Sequence, residues 1–152
     1  MKKIVFFILL LFIFLPIAWA QNDLSQNNLS VVKKQLVSFQ LQPQQVFAFV
    51  NKLKMAVRHH RVKMMAQMIA YPLTVNGKPT IQNKQAFIHS YSALFTSQVK
   101  KAIANQKLEA LFVNYQGVML GNGEIWINKQ WTNGKAGGKL YIIAVNNAEN
   151  MV

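Results

Sequence analysis

The chain has 152 residues, of which 52% are hydrophobic, so it is long enough for one domain with a packed core and short for two. It contains no cysteine, which excludes disulfides, cysteine-linked lipid anchors and cysteine-based metal sites. Seventeen lysines and arginines against four acidic residues give a formal net charge of +13, and this excess favours anionic partners.

The first twenty residues have the three parts of a secretory signal peptide. Two lysines open the chain, residues 4–15 form an almost unbroken apolar run, and Ala18-Trp19-Ala20 fits the small-residue pattern before a cleavage site. The apolar run is shorter than the roughly 20 residues that span a bilayer, although an uncleaved membrane anchor is the alternative. We therefore expect cleavage between Ala20 and Gln21 and delivery to the periplasm or the cell exterior.

The charge of the exported part bears on its partners. Cleavage removes two of the 17 basic residues and none of the four acidic ones, which lowers the formal charge from +13 to +11. Because an exported protein rarely meets nucleic acid, we expect an envelope protein or an anionic envelope component as partner, with membrane contact limited to the surface. The alternative is a basic protein whose charge serves no partner.

The N-terminal half is predicted to be helical. Residues 21–42 form a leader in which 21–28 are polar and expected to fray, while 29–41 fit either a helix or a strand. Pro43 suits the first turn of a helix, and apolar residues recur every three or four positions over 44–57, which predicts an amphipathic helix. After a polar break at 58–61, a second stripe over 62–69 predicts a helix that ends before Pro72. The residue before a proline leaves helical geometry, so we expect the chain to become extended at Tyr71.

The segment that follows alternates short strands and helices. Two strands are expected over 73–81 around a turn at 76–79. Asn83 and Thr96 each precede an apolar helical pattern and have side chains that accept hydrogen bonds from the first turn. They are therefore predicted to be N-caps.

The C-terminal part is predicted to be a sheet. Strands over 111–120 and 124–128 flank Gly121-Asn122-Gly123, which predicts a hairpin. A longer turn is expected over 131–138, then a last strand over 140–145. The pattern predicts one α+β domain over 43–146, with N-terminal helices packed on an antiparallel sheet and a loose tail over 147–152.

Three segments carry a resemblance to a known family. They are Phe47-Ala48-Phe49 with the helices up to Ala70-Tyr71-Pro72-Leu73, residues 83–88 with Tyr91 and Phe95, and the hairpin over 114–126. Together they resemble the nuclear transport factor two-like superfamily, in particular small exported bacterial members of its polyketide-cyclase-like branch. The resemblance covers most of 43–145 and implies a cone-shaped, cystatin-like roll, in which a curved sheet wraps around long helices and encloses a pocket. It does not specify a function, because this fold hosts enzymes as well as binding modules.

The implied pocket has candidate lining residues. Tyrosine and tryptophan carry a polar group that needs a partner when the ring is buried, and amides can supply one. We expect the ligand-binding pocket to be lined by Tyr71, Tyr91, Asn114, Tyr115, Gln116, Glu124 and Trp126.

Catalytic members of the superfamily generally place a carboxylate base, or a His-Asp pair, inside the cone, and this chain departs from that pattern. Only Glu124 could reach such a cavity, and we expect it instead to face water at the hairpin edge or to pair with a lysine. We therefore expect a non-catalytic binding or accessory module without a cofactor. The alternative is a small isomerase, cyclase or hydratase with Glu124 as base and Tyr91 or Tyr115 as proton donor.

The histidines are not spaced for a metal. His59 and His60 are adjacent, so on a helix their side chains diverge by roughly 100°, and His89 belongs to another helix. No metal site is expected. The adjacent pair instead extends a basic patch, whose charge would rise at acidic pH, formed by Lys52, Lys54, Arg58, Arg61 and Lys63.

Two further surfaces follow from the sequence. Lys100 and Lys101 form a smaller patch of positive charge, and a plain solvated face is the alternative for both patches. If the domain forms a homodimer, we expect pairing through the sheet face that carries Trp126, Trp131 and Tyr141.

Overall fold

A computed structural model describes residues 15–132 and 135–147, with side chains over 25–130 and 138–147. Most of the predicted signal peptide, residues 1–14, lies outside the described residues. Within the described part, no helix combines the length and the apolarity needed to cross a bilayer.

The described chain combines helices with one six-stranded sheet, and the first two strands come before the last two helices, which confirms the α+β class. In chain order the elements are α1 (Leu15–Ser38), α2 (Pro43–Arg58), α3 (Val62–Ala66), β1 (Ile69–Val75), β2 (Lys78–Ile81), α4 (Lys84–Leu94), α5 (Ser97–Asn105), a 3₁₀ turn (Leu108–Ala110), β3 (Phe112–Asn114), β4 (Gly117–Leu120), β5 (Ile125–Thr132) and β6 (Lys135–Val145).

Helix α1 occupies most of the predicted leader. Residues 21–28, which we expected to fray, lie within it, and the helical alternative for 29–41 is correct as far as Ser38. The helix ends in a Schellman motif: Gln40 has φ +58°, and the Leu41 amide donates to the Leu36 carbonyl at 2.9 Å. Leu36 and Leu41 are both buried, so the helix end is tied to the core. The predicted cleavage point lies within α1, on the N-terminal side of these contacts.

The turn between α2 and α3 contains the same motif. His60 has φ +51°, and the Arg61 amide donates to the Ala56 carbonyl at 2.8 Å, which ends α2 at the predicted polar break. The second helix is much shorter than predicted, because α3 ends at Ala66 and β1 begins at Ile69 rather than at Tyr71. Pairing with β6 overrides the helical pattern here: the Ile142 amide donates to the Met68 carbonyl at 2.8 Å.

The local signals in the middle of the chain are confirmed. Asn83 Oδ1 accepts from the Ala86 amide at 2.9 Å, and Thr96 Oγ1 accepts from the Val99 amide at 3.4 Å, so both are N-caps. The β1–β2 turn is made by Asn76 and Gly77, with φ of +49° and +81°, as in a tight two-residue hairpin.

The six strands form one sheet in the order β2-β1-β6-β5-β4-β3. Neighbours are antiparallel except β1 and β6, which are parallel, so the sheet is mixed and the prediction of a purely antiparallel one is wrong. The sequence pattern cannot reveal this pair, because its strands are about 70 residues apart in the chain. The predicted β4–β5 hairpin around residues 121–123 is confirmed.

Two strand boundaries differ from prediction. The expected strand over 111–120 is split by a turn, in which Asn114 Oδ1 accepts from the Gln116 amide at 2.8 Å and Gly117 has φ +128°. The expected long turn over 131–138 is mostly strand: Trp131 pairs with Ala136 and Thr132 with Lys135. Residues 133–134, an Asn-Gly pair typical of tight hairpins, lie between them and outside the described residues.

The core lies between the helices and one face of the sheet. Its largest fully buried side chains come from both layers, including Leu36, Leu53, Phe87, Phe95 and Ile142. The prediction of a loose tail over 147–152 is wrong at its first residue, because Asn147 is held by the Asn76 side chain and donates to the Ala93 carbonyl at 2.7 Å. Residues 148–152 lie outside the described part.

Candidate functional site

The residues predicted to line one pocket do not converge. Asn114 and Gln116 lie at the β3–β4 turn, beside one end of β4, and Glu124 lies beyond its other end. Tyr115, at the tip of that turn, is 80% exposed. Asn114 and Tyr115 instead border a small cavity of about 220 Å³ with the loop that follows α1.

The other two predicted tyrosines lie in β1 and in α4. Tyr71 is half-buried and donates its hydroxyl to the Ala66 carbonyl at 2.9 Å, and burial raises its pKa to about 12. Tyr91 is buried between Phe87 and Phe95, its hydroxyl has no hydrogen-bond partner among the described residues, and burial raises its pKa. Both phenols therefore stay neutral at physiological pH.

Trp126 lies on the sheet face opposite the core. Its neighbours in β5, Ile125 and Ile127, are fully buried, and side chains alternate along a strand, so the half-buried indole points away from the helices. Tyr141 is also half-buried, with the Lys139 ammonium 5.1 Å from its ring centre. The side chain of Trp131 is outside the described set, and pairing through this face stays a prediction.

Glu124 is buried, with 7% of its surface exposed, against the expectation that it faces water. Its Oε1 accepts from Gln98 Nε2 of α5 at 3.2 Å, and its Oε2 accepts from the Asn122 amide at 2.6 Å. Gln106, the other buried polar side chain of the described part, accepts from the Gly121 amide at 2.8 Å. The two side chains thus fasten the β4–β5 turn to α5, which accounts for their burial, and both also border a cavity of about 790 Å³.

This role of Glu124 predicts a graded loss of stability. Glu124→Gln keeps one acceptor oxygen and should lower the free energy of unfolding by about 1 kcal/mol, whereas Glu124→Ala leaves the Asn122 amide without a partner and should lower it by about 3 kcal/mol. Urea denaturation measures both. An alanine variant as stable as the parent protein would contradict the fastening role.

A groove between α2 and α5 brings four lysine and arginine side chains together. Residues one helical turn apart on α2, Asn51, Lys54, Met55 and Arg58, face Lys100, Lys101 and Ala104 of α5. These four α2 residues lie beside the buried residues that pack α2 into the core, so their side chains are at the rim of the helix pair. We call this the α2–α5 groove; it has a volume of about 720 Å³ and is lined by Asn51, Lys54, Met55, Val57, Arg58, His60, Lys100, Lys101 and Ala104.

Two of the four lysine and arginine side chains in the groove are held by protein groups. The Lys54 ammonium donates to the Gln106 carbonyl at the C-terminal end of α5, where the helix dipole favours a cation. The Lys100 ammonium lies 5.5 Å from the centre of the Tyr91 ring, a cation–π contact. Arg58 and Lys101 are exposed, and none of the described lining residues is acidic.

The structure divides the predicted basic patch. Lys54 and Arg58 line the groove, whereas Lys52 borders a separate cavity between α2 and β6, and Arg61 and Lys63 are exposed near the start of α3. The two sequence patches contribute to one surface because α2 packs on α5. Their meeting is the candidate functional feature that the sequence did not predict, and its local signal was the basic character of both helices.

A search for metal ligands gives no candidate. Among the residues with described positions, no three His, Asp or Glu side chains come together in a way that could hold a metal ion. His60 is drawn to the groove by the turn that ends α2, while His59 and His89 are exposed elsewhere.

No protein-family model, curated protein or solved structure matches this chain.

Proposed function

We propose that this protein is an exported, non-catalytic binding module that engages an anionic partner of the cell envelope through the α2–α5 groove. One observation carries the proposal: Lys54, Arg58, Lys100 and Lys101 come from two helices to one concave surface whose described lining holds no carboxylate. Four like charges repel one another, and an anion bound between them relieves that repulsion.

The chemistry of the groove favours anions with several oxygens. Arg58 offers a planar fork of donors that fits phosphate, sulfate or carboxylate, and Lys101 adds a mobile point charge. The alternative, an isomerase, cyclase or hydratase with Glu124 as base, would use a separate cavity of about 790 Å³ that Glu124 and Lys101 border. There the carboxylate already accepts two hydrogen bonds, from Gln98 Nε2 and from the Asn122 amide.

The proposal is tested with heparin as a probe polyanion. The double variant Lys100→Gln/Lys101→Gln should bind heparin more weakly than the parent protein, and the slope of log affinity against log salt concentration should become shallower by about two. The matched control is Lys33→Gln/Lys34→Gln, which removes the same charge from two exposed positions of α1 and should change that slope by less than about one. Equal slopes for the two variants would contradict a specific groove.

Export has a separate test. We expect the protein recovered from a periplasmic fraction or from the medium to begin at Gln21, which intact-mass measurement detects directly. The unprocessed chain in the cytosol would contradict export and leave the groove without an envelope partner.

We also propose that the domain belongs to the nuclear transport factor two-like superfamily, as the sequence resemblance implies. Supporting features are helices packed on one face of a six-stranded sheet and two register shifts in the long β5–β6 pair, since such irregularities bend strands. We expect the sheet to be strongly curved around the helices in a crystal of the protein, and a flat sheet would contradict the assignment.

A further inference from the structure

The α2–α5 groove has an apolar floor that binding of a hydrophilic anion does not require. Met55 is 50% exposed in the last turn of α2, and Val57 and Ala104 line the same groove. An exposed methionine between charged residues adapts to flexible apolar partners and adds nothing to the binding of a sugar or a phosphate.

The charges lie around this apolar surface. Lys54 and Arg58 are one turn apart on α2, Lys100 and Lys101 follow one another on α5, and Met55 and Ala104 line the groove with them. The volume of about 720 Å³ lies within the roughly 300–1,000 Å³ that is usual for small-molecule sites. The groove is therefore amphipathic, with charges suited to an anionic head and a floor suited to a hydrocarbon tail.

We propose that the occupant of the groove is a single anionic amphiphile, with one phosphate-type head group and one alkyl chain, bound as a monomer. This inference rests on the proposed function and names the class of its ligand. The head group is bound by Arg58 and Lys101, the exposed cations, and the chain lies along Met55 and Ala104. The anionic head group follows from charge complementarity with the groove, and the alkyl chain follows from the uncovered apolar surface.

The test is calorimetric titration with decyl phosphate below its micelle concentration. We expect one molecule to bind per protein, at least tenfold more tightly than inorganic phosphate, which lacks the tail, and than decyl maltoside, which lacks the charge. Shortening the chain should weaken binding by about fourfold for each methylene removed from the groove. Inorganic phosphate binding as tightly as decyl phosphate would overturn the inference.

A variant that fills the floor separates the inference from the proposed function. Ala104→Trp should lower the affinity for decyl phosphate at least tenfold and remove the dependence of affinity on chain length, because the indole occupies the floor that the alkyl chain needs. The matched control is Ala93→Trp, at an exposed alanine of α4 outside the groove, which should change neither. If Ala104→Trp binds decyl phosphate as tightly as the parent protein, the inference fails; the heparin experiment, not this one, decides the proposed function.

Discussion

Gly117→Ala is expected to lower the free energy of unfolding by about 3 kcal/mol or more, among the largest effects of a single methyl group in this protein. Gly117 has φ +128°, a conformation that residues with a side chain rarely adopt. A Cβ at this position would also overlap the carbonyl oxygen of Ile127 and come within 3.0 Å of the Asn128 Cβ. The overlap is with the backbone of β5, an interior strand of the sheet, so it cannot be relieved by turning a side chain. Urea denaturation of the two proteins measures the difference.

Two other glycines serve as controls for this prediction. Gly77 also has a positive φ, +81°, but an added Cβ would meet nothing within 4 Å, so Gly77→Ala should lower stability by only about 1 kcal/mol. Gly138 has the same open space without a positive φ, and Gly138→Ala should change stability by less than about 0.5 kcal/mol. If all three variants behave alike, the close approach of β4 to β5 at Gly117 is not as described.

The features that the sequence predicted best are those formed by residues close together in the chain. Asn83 and Thr96 were identifiable as N-caps because the hydrogen bond that each accepts comes from an amide only three residues later in the sequence. The Gly-Asn-Gly hairpin is equally local. The turn at Asn114 has the same kind of signal, an Asn three residues before a Gly, but the apolar run around it predicts a continuous strand. Local chemistry prevailed over the apolar pattern there.

What the sequence did not predict depends on distant contacts. The early start of β1 at Ile69 and its parallel pairing with β6 join segments far apart in the chain, and neither segment contains a signal for the other. The candidate site has the same character, because Lys54 and Arg58 meet Lys100 and Lys101 only through the packing of α2 on α5. Composition indicated an anionic partner, and only the tertiary structure indicates where it would bind.

Leu36→Ala is expected to lower the free energy of unfolding by about 3 kcal/mol, because truncating a fully buried leucine removes apolar contacts and leaves a cavity. Leu36 lies in the segment that the sequence suggested was a leader outside the domain. In the structure it fills the core beneath α1, which packs on the 3₁₀ turn and on β3. Its carbonyl also accepts from the Leu41 amide, so the same residue ends the helix and anchors it.

The adjacent residue is the matched control. Val37 follows Leu36 in the same helix and is 61% exposed, so Val37→Ala should change stability by less than about 0.5 kcal/mol. Thermal or urea unfolding of the two variants compares a buried and an exposed position that are adjacent in the same helix. Because both residues follow the predicted cleavage point, the comparison can be made on the processed chain. A Leu36→Ala variant as stable as Val37→Ala would mean that α1 is an appendage and that the folded domain begins near Pro43.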